Sequence, residues 1–254
     1  MITVLTCRGT AEPAAGPNNL LTFVTRKLDP TSYRIGPDVD YPASIGPVNP
    51  HGAIGGCSEQ QSIERGVDEL AAAIRRTPDK VGLLGYSLGA EVVTRFLEAK
   101  AAGEHDDCDI VWSANIANPL RREGDSIDRD PVGFGINGQR GDWPEDVFTW
   151  EVASPGDGIT SCPAESPLRA LADGVSAFSF AELGGWSMDL AERIGRNRWQ
   201  PDQLDWWRHP VRQWSSWTRA AELMKGYLVG GTHNVAYIEG GYCDRLAAIL
   251  NAHG

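Results

Sequence analysis

Short β-branched runs alternate with segments of helical periodicity through the first two-thirds of the chain, and this alternation limits the possible folds most. The clearest helix begins after Ser58 and ends before Pro78, because Ser58 and Gln61 form a capping-box pattern ahead of regularly spaced apolar residues. Repeated strand–helix units of this length predict a mainly parallel sheet with helices on both faces. The predicted strands cover residues 2–6, 32–35, 81–84, 110–116 and 146–152, and further helices cover residues 19–27, 87–100 and the C-terminal segment around residues 246–250.

Composition and charge exclude several classes of protein. The 254 residues are 41 % hydrophobic, which suits one large α/β domain or two small ones. A net charge of −11 argues against a broad phosphate-binding surface, and therefore against a nucleic-acid partner. No stretch approaches the roughly 18 apolar residues of an integral membrane segment. Residues 1–6 are too short, and lack the basic flank, to form a signal peptide.

The cysteines indicate a protein without a structural metal site. The chain has five, and their wide spacing includes no CxxC pair, so we expect no zinc site. An odd number leaves at least one thiol unpaired within a monomer. Without a signal peptide, reduced thiols are the expected state.

A Gly-x-Ser-x-Gly motif is the strongest chemical signal in the sequence. It runs from Gly85 to Gly89, directly after the strand predicted at residues 81–84 and at the start of the following helix. This context is typical of a nucleophile elbow, in which side chains at the two glycines would collide with a neighbouring strand and helix. The turn presents the Ser87 hydroxyl at the carboxyl end of the sheet, beside a helix amino terminus that favours negative charge. We therefore predict Ser87 as a catalytic nucleophile.

A serine nucleophile needs a general base, and the base needs a carboxylate to orient it. His233 is the predicted base because it lies in a small-residue loop just before the last helix, whereas His209 lies among tryptophans in a more structural context. Asp157 is the predicted carboxylate because it directly follows the last predicted strand. A simple β-turn aspartate would fit the same sequence. Asp173 and Asp189 are the other candidates.

The tetrahedral intermediate of acyl transfer needs hydrogen-bond donors. The amide of Leu88 follows the nucleophile and is the first predicted donor of an oxyanion hole. Thr10 is the second, since it lies in the loop after the first strand, where Gly9 permits a tight bend. Capping of a turn is the alternative role for Thr10.

The sequence changes character after about residue 166, where small and polar residues surround isolated apolar ones and a cluster of tryptophans follows. We predict a catalytic core of residues 1–166 and 226–254, and a helical, lid-like insert at residues 167–225. Trp206 and Trp207 of the insert are candidate substrate-binding residues, because Trp prefers apolar–polar boundaries. The alternative is that they form the small core that holds the insert to the sheet.

Five segments together resemble the cutinase-like serine esterases. The resemblance implies an α/β-hydrolase fold with three layers, and carboxylic ester hydrolysis through a Ser-His-Asp acyl-enzyme mechanism that needs no cofactor. At position 88 the family often has Gln, so Leu88 offers only its amide. The segments are Arg8-Gly9-Thr10-Ala11-Glu12, Tyr41-Pro42-Ala43-Ser44, Gly85-Tyr86-Ser87-Leu88-Gly89-Ala90, Gly156-Asp157-Gly158-Ile159 and His233-Asn234-Val235-Ala236-Tyr237.

Within that superfamily the chain is most similar to the mycobacteriophage lysin B family. The supporting features are the lack of a signal peptide, the unpaired cysteine pattern and the insert between Asp157 and His233. The resemblance implies an esterase that releases mycolic acids from mycolyl-arabinogalactan, is produced in the host cytoplasm and acts at the host cell envelope during lysis. We also expect a monomer. A general cutinase- or lipase-type esterase acting on acylglycerols, and a non-catalytic envelope-binding relative, are the alternatives.

Overall fold

A five-stranded parallel sheet forms the centre of the computed structural model, which describes residues 1–14, 16–46, 48–50, 56–128, 132–169, 218–220, 222–223, 225–226 and 230–254. Each neighbouring pair of strands in this sheet is parallel. The strands are β1 (Ile2–Cys7), β2 (Tyr33–Asp38), β3 (Lys80–Tyr86), β4 (Ile110–Ile116) and β5 (Phe148–Val152), in the spatial order β2-β1-β3-β4-β5. The helices that the described residues define from end to end are α1 (Thr22–Thr25), α2 (Glu59–Arg76), α3 (Leu88–Ala101), α4 (Val235–Glu239) and α5 (Tyr242–His253).

Two hydrophobic clusters cover the two faces of the sheet and produce three layers. On the first face, Leu83 of β3 is buried with Leu70 of α2 and Phe96 of α3. On the second face, Leu84 is buried with Leu246 of α5, because successive side chains of a strand point to opposite faces. The predicted α/β fold, with a parallel sheet between layers of helices, is therefore confirmed.

The predicted capping box at the start of α2 is present. The Ser58 hydroxyl accepts a hydrogen bond from the Gln61 amide at 3.2 Å, and the Gln61 side chain accepts one from the Ser58 amide at 3.3 Å. These bonds satisfy backbone donors at a helix start that the helix itself leaves unpaired. The helix ends at Arg76, just before Pro78, as the sequence pattern indicates.

The helix predicted at residues 19–27 is mostly replaced by turns, and only the four residues of α1 are α-helical. The Asn19 side chain accepts a hydrogen bond from the Leu21 amide at 3.0 Å, which competes with regular helix formation. The amides of Thr22, Phe23 and Val24 donate to carbonyls three residues earlier, which is the spacing of a tighter 3₁₀ turn. The apolar side of the segment is still buried against the sheet, as its spacing predicts.

The insert predicted at residues 167–225 lies almost entirely outside the described residues, and Trp206 and Trp207 lie outside them too. The division into a core and an insert therefore stays a prediction. Across the described ranges, no helix is long and apolar enough to cross a membrane.

Strand β5 carries a buried carboxyl group, that of Glu151. Glu151 accepts hydrogen bonds at Oε1 from the side-chain amides of Asn118 at 2.9 Å and Asn115 at 3.4 Å. Its Oε2 has no hydrogen-bond partner among the described residues. Burial raises the pKa of Glu151 to about 8, so the folded protein holds a proton on this group at neutral pH.

Glu151 should make the protein less stable as the pH rises towards 9. The folded state holds a proton that the unfolded chain releases near the ordinary Glu pKa, so the stabilisation is lost as the pH rises through about 8. Between pH 6 and pH 9, the free energy of unfolding of Glu151→Gln should fall by at least about 1 kcal/mol less than that of the wild type. This difference corresponds to about 2–4 °C in Tm. Thermal unfolding at both pH values measures it, with the exposed Glu104→Gln as the control. Parallel declines in the wild type and Glu151→Gln would contradict the assignment.

Candidate active site

The predicted nucleophile occupies a sharp turn between β3 and α3. Ser87 has φ 53° and ψ −120°, a strained conformation typical of a nucleophile elbow. A Cβ at Gly85 would lie 2.7 Å from Cα of Ala90, and a Cβ at Gly89 would lie 1.9 Å from the carbonyl oxygen of Cys7. Both glycines are therefore required by the close approach of helix and strand, as the motif predicts.

The structure brings Ser87, His233 and Asp157 together in one chain of hydrogen bonds. His233 Nε2 lies 2.8 Å from Ser87 Oγ, and His233 Nδ1 lies 2.9 Å from Asp157 Oδ2. A carboxylate can accept a hydrogen bond but cannot donate one, so the proton of the His233 ring lies on Nδ1. His233 Nε2 is therefore free to accept a hydrogen bond from the Ser87 hydroxyl. This is the geometry of a nucleophile, its general base and an orienting carboxylate.

Asp157 is fully buried and is held by two further donors. The Ile159 amide donates to Oδ1 at 3.0 Å, and the Tyr237 hydroxyl donates to Oδ2 at 2.7 Å. Burial and the charge of Asp157 raise the pKa of Tyr237 well above its ordinary value, so the hydroxyl keeps its proton. The Ser154 amide donates to the same Tyr237 oxygen at 3.1 Å, which fixes its position. No pattern in the sequence predicts this contact of Tyr237.

The His233 loop is anchored to β3 by a second tyrosine. The Tyr86 hydroxyl donates to the carbonyl of His233 at 2.7 Å, and the two rings lie 5.4 Å apart between centroids. Gly231, two residues earlier, has φ 62°, a conformation that favours glycine. The small-residue loop before His233 therefore folds as a tight turn that carries the imidazole to the end of β3.

Thr10 and Leu88 line the same cleft as Ser87. Within the described part of the chain, neither backbone amide has a hydrogen-bond acceptor, so both are available to an oxyanion. The Glu12 carboxylate accepts hydrogen bonds from the amides of Gly9 at 2.8 Å and Leu20 at 2.9 Å, which holds the loop that carries Thr10. The geometry agrees with the predicted oxyanion hole, and the role of these two residues remains a prediction.

The cleft has a volume of about 580 Å³ and crosses the carboxyl edge of the sheet from one face to the other. Ser87, Thr10 and His233 lie along it. On the second face of the sheet, which we call the apolar end, its apolar lining is Leu20, Phe23, Val235 and Ile238. On the first face, which we call the Glu59 end, it is lined by Ile45, Val48, Glu59, Ile136 and Asn137.

The alternatives for the base and the carboxylate cannot be placed beside Ser87. His209, Asp173 and Asp189 lie outside the described residues. Among the residues that are described, no group of His, Cys, Asp or Glu side chains is arranged to hold a metal ion. All five cysteines lie within the described ranges, and none is in a disulfide. Hydrogen bonds therefore hold the turn of Asp157 without a disulfide.

Tyr237→Phe should lower kcat for ester hydrolysis about tenfold and leave KM nearly unchanged. The substitution removes one donor from the carboxylate that orients His233, and hydrogen bonds to charged groups contribute about 1.5–3 kcal/mol. Steady-state kinetics on a p-nitrophenyl ester measure the effect, at temperatures well below the Tm of each variant. Tyr242→Phe, whose ring packs against that of Tyr237, is the matched control. A rise in KM with kcat unchanged would contradict a positioning role for Tyr237.

A strand–elbow–helix unit at the carboxyl edge of a parallel sheet places the chain in the α/β-hydrolase fold class. The chain belongs to the PE-PPE domain family, which matches residues 35–173, more than half of its length. The matched segment contains Ser87 and Asp157, whereas Thr10 and His233 lie outside it.

Several solved structures are similar to the chain at low sequence identity. Lysin B from Mycobacteriophage D29 is 18 % identical, with 96 % of this chain and 98 % of that chain covered and a TM-score of 0.51. The catalytic core domain of acetyl xylan esterase from Trichoderma reesei is 16 % identical, and the match covers 71 % of this chain and 95 % of that chain with a TM-score of 0.47. A cutinase-like protein from Cryptococcus sp. is 17 % identical, and the match covers 63 % of this chain and 78 % of that chain with a TM-score of 0.44. No curated protein matches the chain in sequence.

Proposed function

We propose that the chain is a serine ester hydrolase. The observation that carries the proposal is the continuous set of hydrogen bonds from Ser87 through His233 to Asp157, at 2.8 Å and 2.9 Å, within a cleft open to a ligand. Two backbone amides, those of Thr10 and Leu88, line that cleft with no acceptor among the described residues. A nucleophile, a base, an orienting carboxylate and oxyanion donors are the parts that acyl transfer requires.

Acylation starts when Ser87 Oγ attacks the carbonyl carbon of the ester. A bond forms between Oγ and this carbon while the hydroxyl proton moves to His233 Nε2. The carbonyl oxygen becomes an oxyanion that accepts hydrogen bonds from the amides of Thr10 and Leu88. The bond from carbon to the alcohol oxygen then breaks, and the proton on Nε2 passes to the departing alcohol. Asp157 stabilises the imidazolium formed between these steps.

Deacylation repeats the same transfers with water. His233 Nε2 accepts a proton from a water molecule as its oxygen attacks the acyl carbon. The bond from that carbon to Ser87 Oγ then breaks, and His233 returns the proton to Oγ. The acid leaves, and the serine hydroxyl is restored without any cofactor.

The first experiment measures hydrolysis of p-nitrophenyl butyrate before and after treatment with a serine-directed phosphonate. Turnover that the phosphonate abolishes, with mass added to a peptide that contains Ser87, supports the proposal. A folded protein that hydrolyses neither this ester nor a lipid ester would contradict it. That outcome would favour a non-catalytic envelope-binding protein.

For the substrate, we propose mycolyl-arabinogalactan, with action at the envelope of a host cell during phage lysis. The resemblance of the motifs to lysin B proteins supports this choice, as does a fold likeness to lysin B that spans 96 % of the chain. The apolar end of the cleft suits the start of a long acyl chain. We further propose that Trp206 and Trp207, in a helical insert at residues 167–225, contact that chain.

A general lipid esterase is the second candidate, because a cleft of about 580 Å³ is the size that takes a small ligand whole. Release of free mycolic acid from purified mycolyl-arabinogalactan distinguishes the two. Release at a rate comparable with that of butyrate esters supports the first substrate. Hydrolysis of acylglycerols without release of mycolic acid would favour the second.

A further inference from the structure

Two buried polar side chains line the Glu59 end of the cleft. Glu59 is the first residue of α2 and is only 8 % exposed. The side-chain amide of Asn137 donates to Glu59 Oε1 at 3.3 Å and to Glu91 Oε2 at 3.0 Å. Glu59 and Asn137 face the cleft that contains Ser87, whereas Glu91 lies behind them on α3.

One oxygen of Glu59 is left for a ligand. Within the described part of the chain, no donor reaches Glu59 Oε2. Glu12 is the other carboxylate that lines the cleft among the described residues. Its two oxygens each accept a hydrogen bond, one from the Gly9 amide and one from the Leu20 amide. Because Glu59 is only 8 % exposed, a hydroxyl group bound in the cleft would meet a carboxylate that is largely removed from competing water.

We propose that Glu59 selects esters whose alcohol part carries free hydroxyl groups, such as polyol or sugar esters, by accepting a hydrogen bond at Oε2. The inference rests on the proposed ester hydrolysis at Ser87 and assigns the side of the cleft that takes the alcohol. A hydroxyl group donates readily to a carboxylate, and such charge-assisted bonds are strong. Asn137 holds the carboxylate in place through its hydrogen bond to Oε1.

The two ends of the cleft favour opposite parts of an ester. An alkyl chain placed against Glu59 would remove its carboxylate from water and offer no hydrogen bond in return. The same chain gains free energy at the apolar end, where Leu20, Phe23 and Ile238 line the cleft. The acyl chain is therefore assigned to the apolar end and the alcohol to the Glu59 end. Ile45 and Ile136 beside Glu59 suit the carbon skeleton of a polyol.

The test compares two butyrate esters that differ only in the alcohol, 2,3-dihydroxypropyl butyrate and propyl butyrate. The wild type should prefer the dihydroxy ester about tenfold or more in kcat/KM. In Glu59→Gln the ratio of the two kcat/KM values should fall by about fivefold or more, because the charged acceptor is lost. The exposed Glu64→Gln on the same helix is the matched control and should keep the wild-type ratio.

Glu59→Gln should fold, because Gln has nearly the same shape and relieves the repulsion between two carboxylates. Burial, followed by the charge of Glu59, raises the pKa of Glu91 to about 7. Glu59→Ala, which keeps a good helix former at the start of α2, supplies a second variant. Melting temperatures establish that the variants compared are folded.

The outcomes separate this inference from the proposed function. Hydrolysis of neither ester by the folded wild type would overturn both. Hydrolysis of both esters with a ratio near one, unchanged in Glu59→Gln, would overturn the role of Glu59 alone. A preference for propyl 3-hydroxybutyrate over propyl butyrate that is lost in Glu59→Gln would place the acyl part at the Glu59 end, and would overturn the assignment of the alcohol.

Discussion

Ser87→Ala should abolish ester hydrolysis and leave the Tm within a few degrees of the wild-type value. The substitution removes the only atom that can form the acyl-enzyme bond, so kcat should fall by about a factor of 10⁶. Alanine keeps the Cβ, so the backbone at φ 53° is no more strained than with serine. The position lines an open cleft, where water can replace the lost hydroxyl as a partner of His233.

Release of p-nitrophenol from a butyrate ester measures the loss, with purified wild type and variant at equal concentrations. Ser113→Ala is the matched control, because it removes a buried hydroxyl that has no partner among the described residues. That variant should keep full activity. If Ser87→Ala retains more than about a thousandth of the wild-type rate, Ser87 is not the nucleophile.

The nucleophile elbow could be predicted because every part of it is local in the sequence. A buried strand, a turn that needs glycines and a helix follow one another within residues 80–101. The collisions that exclude side chains at Gly85 and Gly89 arise because α3 starts directly after β3 and its first turn lies against the end of β1. The sequence and the structure therefore agree closely here, and the bounds of β4 agree residue for residue.

The partners of Ser87 could be proposed but not placed by sequence. His233 and Asp157 are 76 residues apart, and only the folded sheet brings them within 2.9 Å. The sequence favours Asp157 because it follows a strand, and His233 because its small-residue loop before the last helix can reach a serine at the edge of the sheet. Their contact agrees with that reasoning, whereas their catalytic roles await the kinetics of variants.

The supporting residues could not be predicted because no spacing rule describes them. Tyr237 reaches Asp157 from 80 positions away, and Asn137 reaches Glu59 from 78 positions away. Glu12 bonds to backbone amides, whose directions depend on turns that the sequence pattern does not specify. The error at residues 19–27 has a different, local origin, since the hydrogen bond from the Leu21 amide to the Asn19 side chain competes with a helix that apolar spacing favours.

Asp157→Asn should lower kcat by about 10⁴ while KM changes little. Three donors meet the carboxylate, namely the Ile159 amide at Oδ1 and the Tyr237 hydroxyl and His233 Nδ1 at Oδ2. An asparagine has only one oxygen to offer them. The Ile159 amide cannot turn its hydrogen away, whereas the Tyr237 hydroxyl can rotate and His233 can change tautomer. The oxygen of the asparagine should therefore face Ile159, and its NH₂ group should face Tyr237 and His233.

That orientation disables the base without moving it. His233 Nδ1 would accept a hydrogen bond from the asparagine, so the ring proton would lie on Nε2 and point at Ser87. The serine hydroxyl then has no acceptor for its proton. Kinetics of Asp157→Asn, Ser87→Ala and the double variant test this, because residues that act as a unit lose activity non-additively. The double variant should be no slower than Ser87→Ala. A further loss of about 10⁴ in the double variant would show that Asp157 acts independently of Ser87, and that the hydrogen-bonded chain is not the catalytic unit.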